Sequence, residues 1–145
     1  MSSLVKIRRV KKSDIRIIYK IGRSTSAFEV SKRIKFFTLN ELKEFLTKKE
    51  CILLIAEVKN KIAGFVIAFI MSHSWIYIDN FYVLPKFRHH RIASGLEGEV
   101  IKIAKKKKID YISTIVKTSH HIERKFFRKK GYKETSKFSW LEKSI

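Results

Sequence analysis

Between Val83 and Leu96 the chain reads Val-Leu-Pro-Lys-Phe-Arg-His-His-Arg-Ile-Ala-Ser-Gly-Leu, a strand end, a basic turn and a helix start in direct succession. Backbone N–H groups in a turn that opens a helix point outward, and the helix dipole adds partial positive charge at the same place. Arg88 and Arg91 reinforce that field. The chemistry on offer is anion binding, with a pyrophosphate as the natural guest; a basic, solvated turn of no further use is the plainer reading. Other reactive types carry less. His89-His90 and His120-His121 are neighbours that diverge on a helix, with no Cys or carboxylate at ligand spacing, so no metal site is expected. Cys51 opens an apolar run and reads as a small core residue rather than a nucleophile. Lys105 to Lys108 close a helical pattern, where cations suit the dipole.

The elements that must position this turn follow from changes of hydrophobic period. Leu4 to Val10 reads as a first strand. Ser13 or Asp14 can cap a helix carrying Ile15, Ile18 and Ile21, with Gly22 available to stop it. Thr38-Leu39-Asn40-Glu41 has capping-box spacing ahead of Leu42, Phe45 and Leu46. Cys51 to Val58 and Ile62 to Met71 are β-branched apolar runs joined across Lys59-Asn60-Lys61, a hairpin buried on both faces, with Gly64 as a candidate bulge. Trp75 to Leu84 is a strand ended by Pro85, and a helix starts near Arg91 with Leu96, Val100 and Ile103 or Ala104 aligned. Tyr111 to Lys117 is a further strand, Ser119 to Lys130 a helix closed by Gly131, and Phe138 to Leu141 a last short strand. Alternation of this kind defines an α/β or α+β class.

At 145 residues, with 45% hydrophobic residues to fill an interior, the expectation is one domain over 1–145. A single Cys excludes a disulfide framework and fits a reducing setting, and the basic start from Met1 to Arg9 leaves no room for a signal segment. A cytoplasmic protein without a membrane span is therefore expected. The outlier is charge: 33 Lys plus Arg against 13 Asp plus Glu, or +20. Such a surface attracts polyanions, including nucleic acid and acidic protein, through a field that salt screens. A generally Lys-rich proteome produces the same count.

Two stretches resemble the GCN5-related N-acetyltransferase (GNAT) superfamily. Its acetyl-CoA motif, V-x-P-x-[FY]-[RQ]-x-x-G-x-[GA]-x-x-L, is matched in register by Val83, Pro85, Phe87, Arg88, Ala93 and Leu96. A second, F-Y-x-x-x-G-[FY], is matched by Phe126-Phe127-Arg128-Lys129-Lys130-Gly131-Tyr132. The order of segments agrees over nearly the whole chain. The resemblance implies a mixed, mostly antiparallel sheet splayed at one strand and flanked by about four helices, with the usual final strands abbreviated after Gly131.

It also implies a function: transfer of an acetyl group from acetyl-CoA to a primary amine by direct attack. Phe81, Val83, Arg88, His89, His90, Arg91, Ile92, Ala93, Ser94, His120 and Phe127 would then bind the cofactor, with the amides of Phe81 and Val83 holding its pantetheine arm. In this superfamily the base sits four or six residues before the Val of V-x-P, which here are Asp79 and Tyr77; period two puts both on one face. Asp79 is the better base, and pairing with nearby Lys or Arg is its plainer role.

Three departures stand out. Arg91 replaces the loop Gly, where a side chain disfavours positive φ and crowds a phosphate while adding a charge. His120 replaces a frequent Asn. Phe127 replaces the Tyr proposed to protonate the leaving thiolate, a loss Tyr132 or Tyr77 could make good. The acceptor is expected to be an acidic peptide or protein rather than a polyamine, chosen by residues of Arg23 to Phe37 and of the last strand, and the chain a monomer or homodimer. The rival is a module of the same fold with weakened catalysis that binds nucleic acid or acidic protein and takes acetyl-CoA as an effector.

Overall fold

The computed structural model describes residues 4–72, 74–88 and 91–145. Five strands form one sheet in the order β1 (Val5–Arg9), β2 (Cys51–Val58), β3 (Lys61–Met71), β4 (Trp75–Val83) and β5 (Ile112–Thr114). The first four pair antiparallel and β5 joins β4 in parallel. Helices α1 (Ile15–Ser24) and α2 (Leu39–Phe45) cover one face, and α3 (Ile92–Lys106) and α4 (His121–Lys129) belong to the other. The sheet is thus buried on both sides, which is why Ile52 to Ala56 and Ala63 to Ala68 run apolar without alternation. Among the described residues no helix is long and apolar enough to cross a membrane.

Two core clusters result. Ile52, Leu54, Val66, Ile76 and Ile78 meet Ile92, Leu96, Val100 and Phe127 on the α3 side. Leu53, Ile55, Phe65 and Ile67 meet Ile15, Ile18, Phe36 and Leu42 on the other. The β2–β3 hairpin turns on Lys59 (φ 51°) and Asn60 (φ 64°), the left-handed pair that a two-residue type I′ turn requires.

Several local signals act as expected. Thr38 Oγ1 accepts from the Glu41 amide at 3.2 Å while Glu41 Oε1 accepts from the Thr38 amide at 3.1 Å, closing the capping box that starts α2. Gly131 (φ 94°) ends α4 in a Schellman arrangement: the Tyr132 amide donates to Phe127 O at 3.0 Å and the Gly131 amide to Arg128 O at 3.0 Å. The accompanying apolar contact is Tyr132 against Phe127, with ring centroids 5.0 Å apart.

Others are overruled by tertiary neighbours. Gly22 does not stop α1, which runs on to Ser24; a Cβ at Gly22 would lie 2.1 Å from the Phe36 ring, so the glycine makes room for an aromatic. The extra residue in β3 is Ala63, one before Gly64; the glycine instead admits β4, since its Cβ would meet Tyr82 O at 2.6 Å. The strand expected over Tyr111 to Lys117 shortens to three residues, and Phe138 to Leu141 forms no strand; Phe138 is 79% exposed. Asp14 stands at the start of α1 but does not cap it. Its carboxylate accepts from Arg8 at 2.8 Å and 3.1 Å and from the Lys11 amide at 2.7 Å.

Arg8 also pairs with Glu57, so one guanidinium ties β1 and β2 to the entry of α1. All three side chains are largely withdrawn from water. Removing Arg8 leaves two carboxylates facing each other without a counter-charge, a change worth about 3 kcal/mol. Arg8→Met is therefore expected to lower Tm by roughly 10 °C at pH 7. The sign with pH follows from Asp14, whose carboxyl Arg8 holds below its ordinary value of 3.8. That stabilisation is present above 3.8 and lost as pH falls through the depressed value, so the gap between the two proteins closes in acid. Thermal unfolding followed from pH 7 to pH 2 measures both.

Candidate active site

β4 carries a bulge at Asp79: Ile78 pairs with Ala68 and Asn80 with Ile67, leaving Asp79 without a partner on β3. The bulge inverts the alternation. Before it Ile76 and Ile78 face the α3 side; after it Phe81 and Val83 do. The opposite face receives Tyr77, opposite Phe69, then Asn80, opposite Ile67, and Tyr82, opposite Phe65. Strict period two does not run through the strand, yet Tyr77 and Asp79 stay near enough for the carboxylate to act on the phenol.

The sheet parts at this point. β5 pairs with β4 only from Ile76 to Ile78, the last rung reinforced by Thr114 Oγ1 donating to Ile78 O at 2.8 Å. The Leu84 amide donates to Ala63 O across β3 at 2.8 Å, which fixes the alternation upstream. Val83, opposite Gly64, and Phe81, opposite Val66, then turn their N–H and C=O groups away from β3, into the gap β5 leaves. Arg88 folds back over this strand end; its Nε donates to Val83 O at 3.3 Å and its guanidinium covers the Tyr82 ring at 5.9 Å.

α3 begins beside the gap. The Gly95 amide donates to Arg91 O at 3.1 Å, and among the described residues the amides of Ile92, Ala93 and Ser94 have no partner and no side chain caps the helix. Arg91 takes the left-handed conformation (φ 60°, ψ 21°) despite its side chain. Substituting Gly for Arg91 removes about 1 kcal/mol of net strain and is expected to raise Tm by roughly 2 to 4 °C; a fall in thermal unfolding would mean that the guanidinium stabilises the turn. His89 and His90 lie outside the described residues. Three amides unpartnered among the described residues, the positive helix end and Arg91 make a donor set that fits a diphosphate.

The far wall of the gap is aromatic. Phe81 meets Phe126 and Phe127 at 5.5 Å each, and Phe127 is buried. His120 stands at the N-cap of α4, half-buried. Tyr132 donates to buried Glu97 at 3.1 Å; burial and that carboxylate push its hydroxyl far above the ordinary 10. Tyr132 is thereby committed to Glu97 and unsuited to protonating a thiolate. Tyr77 is pushed up to about 12 by burial and by nearby Asp79 and is a poor acid near neutral pH. Burial raises Asp79 above its ordinary 3.8, partly offset by the nearby Tyr77 hydroxyl. Asp79 nevertheless keeps more than a third of its surface open. Among the described residues no group of three or more His, Cys, Asp or Glu side chains is placed to hold a metal.

Two residues escaped the sequence reading. Glu97 follows Leu96 within the apolar stripe of α3, the one clue that a carboxylate would be buried there. Asn80 is 8% exposed and its Oδ1 has no hydrogen-bond partner, an omission that ordinarily costs about 1 to 3 kcal/mol. Only its place in the otherwise apolar run after Asp79 could have signalled it.

A mixed sheet parted at β4 and β5 beside an amide-rich helix start is an acetyltransferase architecture. The profile of the Acetyltransferase (GNAT) family matches residues 19–132, and the chain belongs to that family. Among solved structures it is similar to an aminoglycoside acetyltransferase from an uncultured soil metagenomic sample in complex with sisomicin (TM-score 0.77, 16% identity, 99% of this chain and 97% of that one). It is likewise similar to the aminoglycoside N-acetyltransferase AAC(6')-Iy in complex with CoA (0.78, 20%, 97% and 100%) and to Ard1 from Thermoplasma volcanium (0.77, 18%, 92% and 85%). At these identities the likeness is one of fold. No curated protein matches the sequence.

Proposed function

We propose that the protein transfers an acetyl group from acetyl-CoA to a primary amine by direct attack. The observation that carries this reading is the outward-turned backbone of Phe81 and Val83 in the gap between β4 and β5, beside the amides of Ile92, Ala93 and Ser94 that have no partner among the described residues. The α3 amides and Arg91 would hold the diphosphate, and Phe81 and Val83 the pantetheine arm. Bound there, acetyl-CoA supplies an activated acyl carbon. Asp79 takes a proton from the incoming ammonium, since an amine with a pKa near ~10 arrives protonated. A Val83 or Phe81 N–H facing the gap stabilises charge that develops on the acyl oxygen without depending on any side chain.

The acceptor approaches from the α1 and α2 face. Lys32, Arg33 and Lys35 outnumber Glu29 in the segment between those helices, and the whole chain carries +20, which favours an acidic peptide or protein over a polyamine. One specific observation favours the rival binding module: Phe127 has no hydroxyl and Tyr132 spends its own on Glu97. Calorimetry with acetyl-CoA, beside thiol release with acidic peptides, aminoglycosides and polyamines, decides between them. Uptake of acetyl-CoA with thiol release on adding an amine carries the enzyme. Uptake without transfer to any amine, together with a salt-sensitive shift of RNA or DNA, carries the module.

A further inference from the structure

The row that β4 turns toward α1 and α2 holds one side chain foreign to its surroundings. Asn80 lies opposite Ile67 and beside Tyr82, on the face that Phe28, Phe36 and Phe65 complete. Leucine has the same branched outline and, although bulkier, would close that wall without burying a polar atom. Instead an amide sits there with its oxygen buried and unpartnered. A buried oxygen in this condition has lost its hydration and gained no donor in return. Its location supplies a use. Asn80 follows Asp79 directly, at the bulge where β4 begins to leave β5, and shares its face with Tyr77. A nitrogen brought to Asp79 from that side carries its remaining N–H bonds to the same corner.

We infer that Asn80 is an acceptor-binding residue whose side-chain oxygen accepts a hydrogen bond from the attacking nitrogen and so selects and aims the amine. The inference rests on the acetyl-transfer reading above. A primary ammonium brings three N–H bonds. One proton passes to the Asp79 carboxylate, one N–H is held by Asn80, and the lone pair so freed points at the acyl carbon. The C–N bond forms and the C–S bond breaks; a second proton leaves the nitrogen as the amide forms, and solvent relays it to the departing sulfur. Two fixed contacts define the direction of attack where one would let the nitrogen swivel.

The test compares wild type with Asn80→Leu and Asn80→Asp. Initial rates of thiol release are measured against acceptor concentration for an acidic peptide, an aminoglycoside and a polyamine, with acetyl-CoA affinity from calorimetry and Tm from thermal unfolding. Asn80→Leu is expected to keep or raise Tm, to bind acetyl-CoA within about twofold of wild type, and to lose roughly 10- to 100-fold in kcat/KM for the preferred amine, mostly as a higher KM. Asn80→Asp restores an acceptor oxygen and is expected to recover most of that loss. Rates for Asn80→Leu within about twofold of wild type on every amine, or a loss of rate matched by a loss of acetyl-CoA affinity, overturn the inference alone. A wild-type protein that acetylates no amine overturns the acetyl-transfer reading and this inference together.

Discussion

Asp79→Asn is expected to lower kcat/KM for the amine by ~10²- to 10⁴-fold while acetyl-CoA affinity stays as it was. The amide has nearly the shape of the carboxylate and keeps the bulge, but it cannot take a proton from an ammonium. The fold supplies a control against mere unfolding. Burial raises the Asp79 carboxyl above 3.8, so the folded chain binds this proton more tightly than the unfolded one. The ionised form therefore works against folding at neutral pH, and the cost disappears once pH falls below 3.8. The Asn variant should accordingly show a Tm equal to or above wild type at pH 7 and the same Tm in strong acid. In the wild type, kcat/KM should rise with pH through the raised carboxyl value and again toward the amine's own pKa; in the variant the lower limb vanishes. A loss smaller than about threefold, or a loss that tracks a lowered Tm, would remove Asp79 from the chemistry.

What was legible beforehand divides by the distance over which a residue's conformation is decided. The capping box at Thr38, the turn at Asn60 and the stop at Gly131 are settled within a few residues, and each falls where its residue type demands. The roles of Gly22 and Asp14 are decided by Phe36 and Arg8, which sequence spacing does not bring together. The bulge at Asp79 belongs to this second group. It arises from the register between β3 and β4, and a one-residue slip leaves no trace in the alternation of hydrophobic types, since Phe81, Tyr82 and Val83 would suit either face. Phe138 to Leu141 has strand composition, but β5 extends over three residues only and a strand forms only where another pairs with it. The motif residues sit at the splay because their local geometry requires it: Pro85 ends β4, and the start of α3 follows within a few residues. Asn80 could not be found in this way, because its interest lies in a bond it fails to make.

Phe127→Tyr should raise kcat, by up to ~10²-fold where loss of the thiolate limits turnover. Phe127 is held by the Schellman turn at Gly131 and packs at 5.5 Å on Phe81, the residue whose backbone faces the gap where, on the acetyl-transfer reading, the sulfur would be set free. None of the nearby hydroxyls is suited to the task. Tyr132 donates to Glu97, and Tyr77, pushed up to about 12, lies well above a thiol at ~8.5 and would surrender its proton uphill. The wild-type thiolate must then take its proton from water, which a good leaving group tolerates near neutral pH. The gain from a new hydroxyl is therefore expected at the lower end of what a general acid provides. It should grow as pH falls below ~8.5, where the free thiol is the stable product, and shrink above it. Acetyl-CoA affinity should not change, because Phe127 lies on α4 and the diphosphate is proposed to sit on the α3 amides. Single-turnover rates for both proteins between pH 6 and pH 10, set beside steady-state kcat, separate the chemical step from release of coenzyme A. Equal single-turnover rates across that range would mean that protonation of sulfur never limits the reaction and that Phe127 serves only as a wall of the gap.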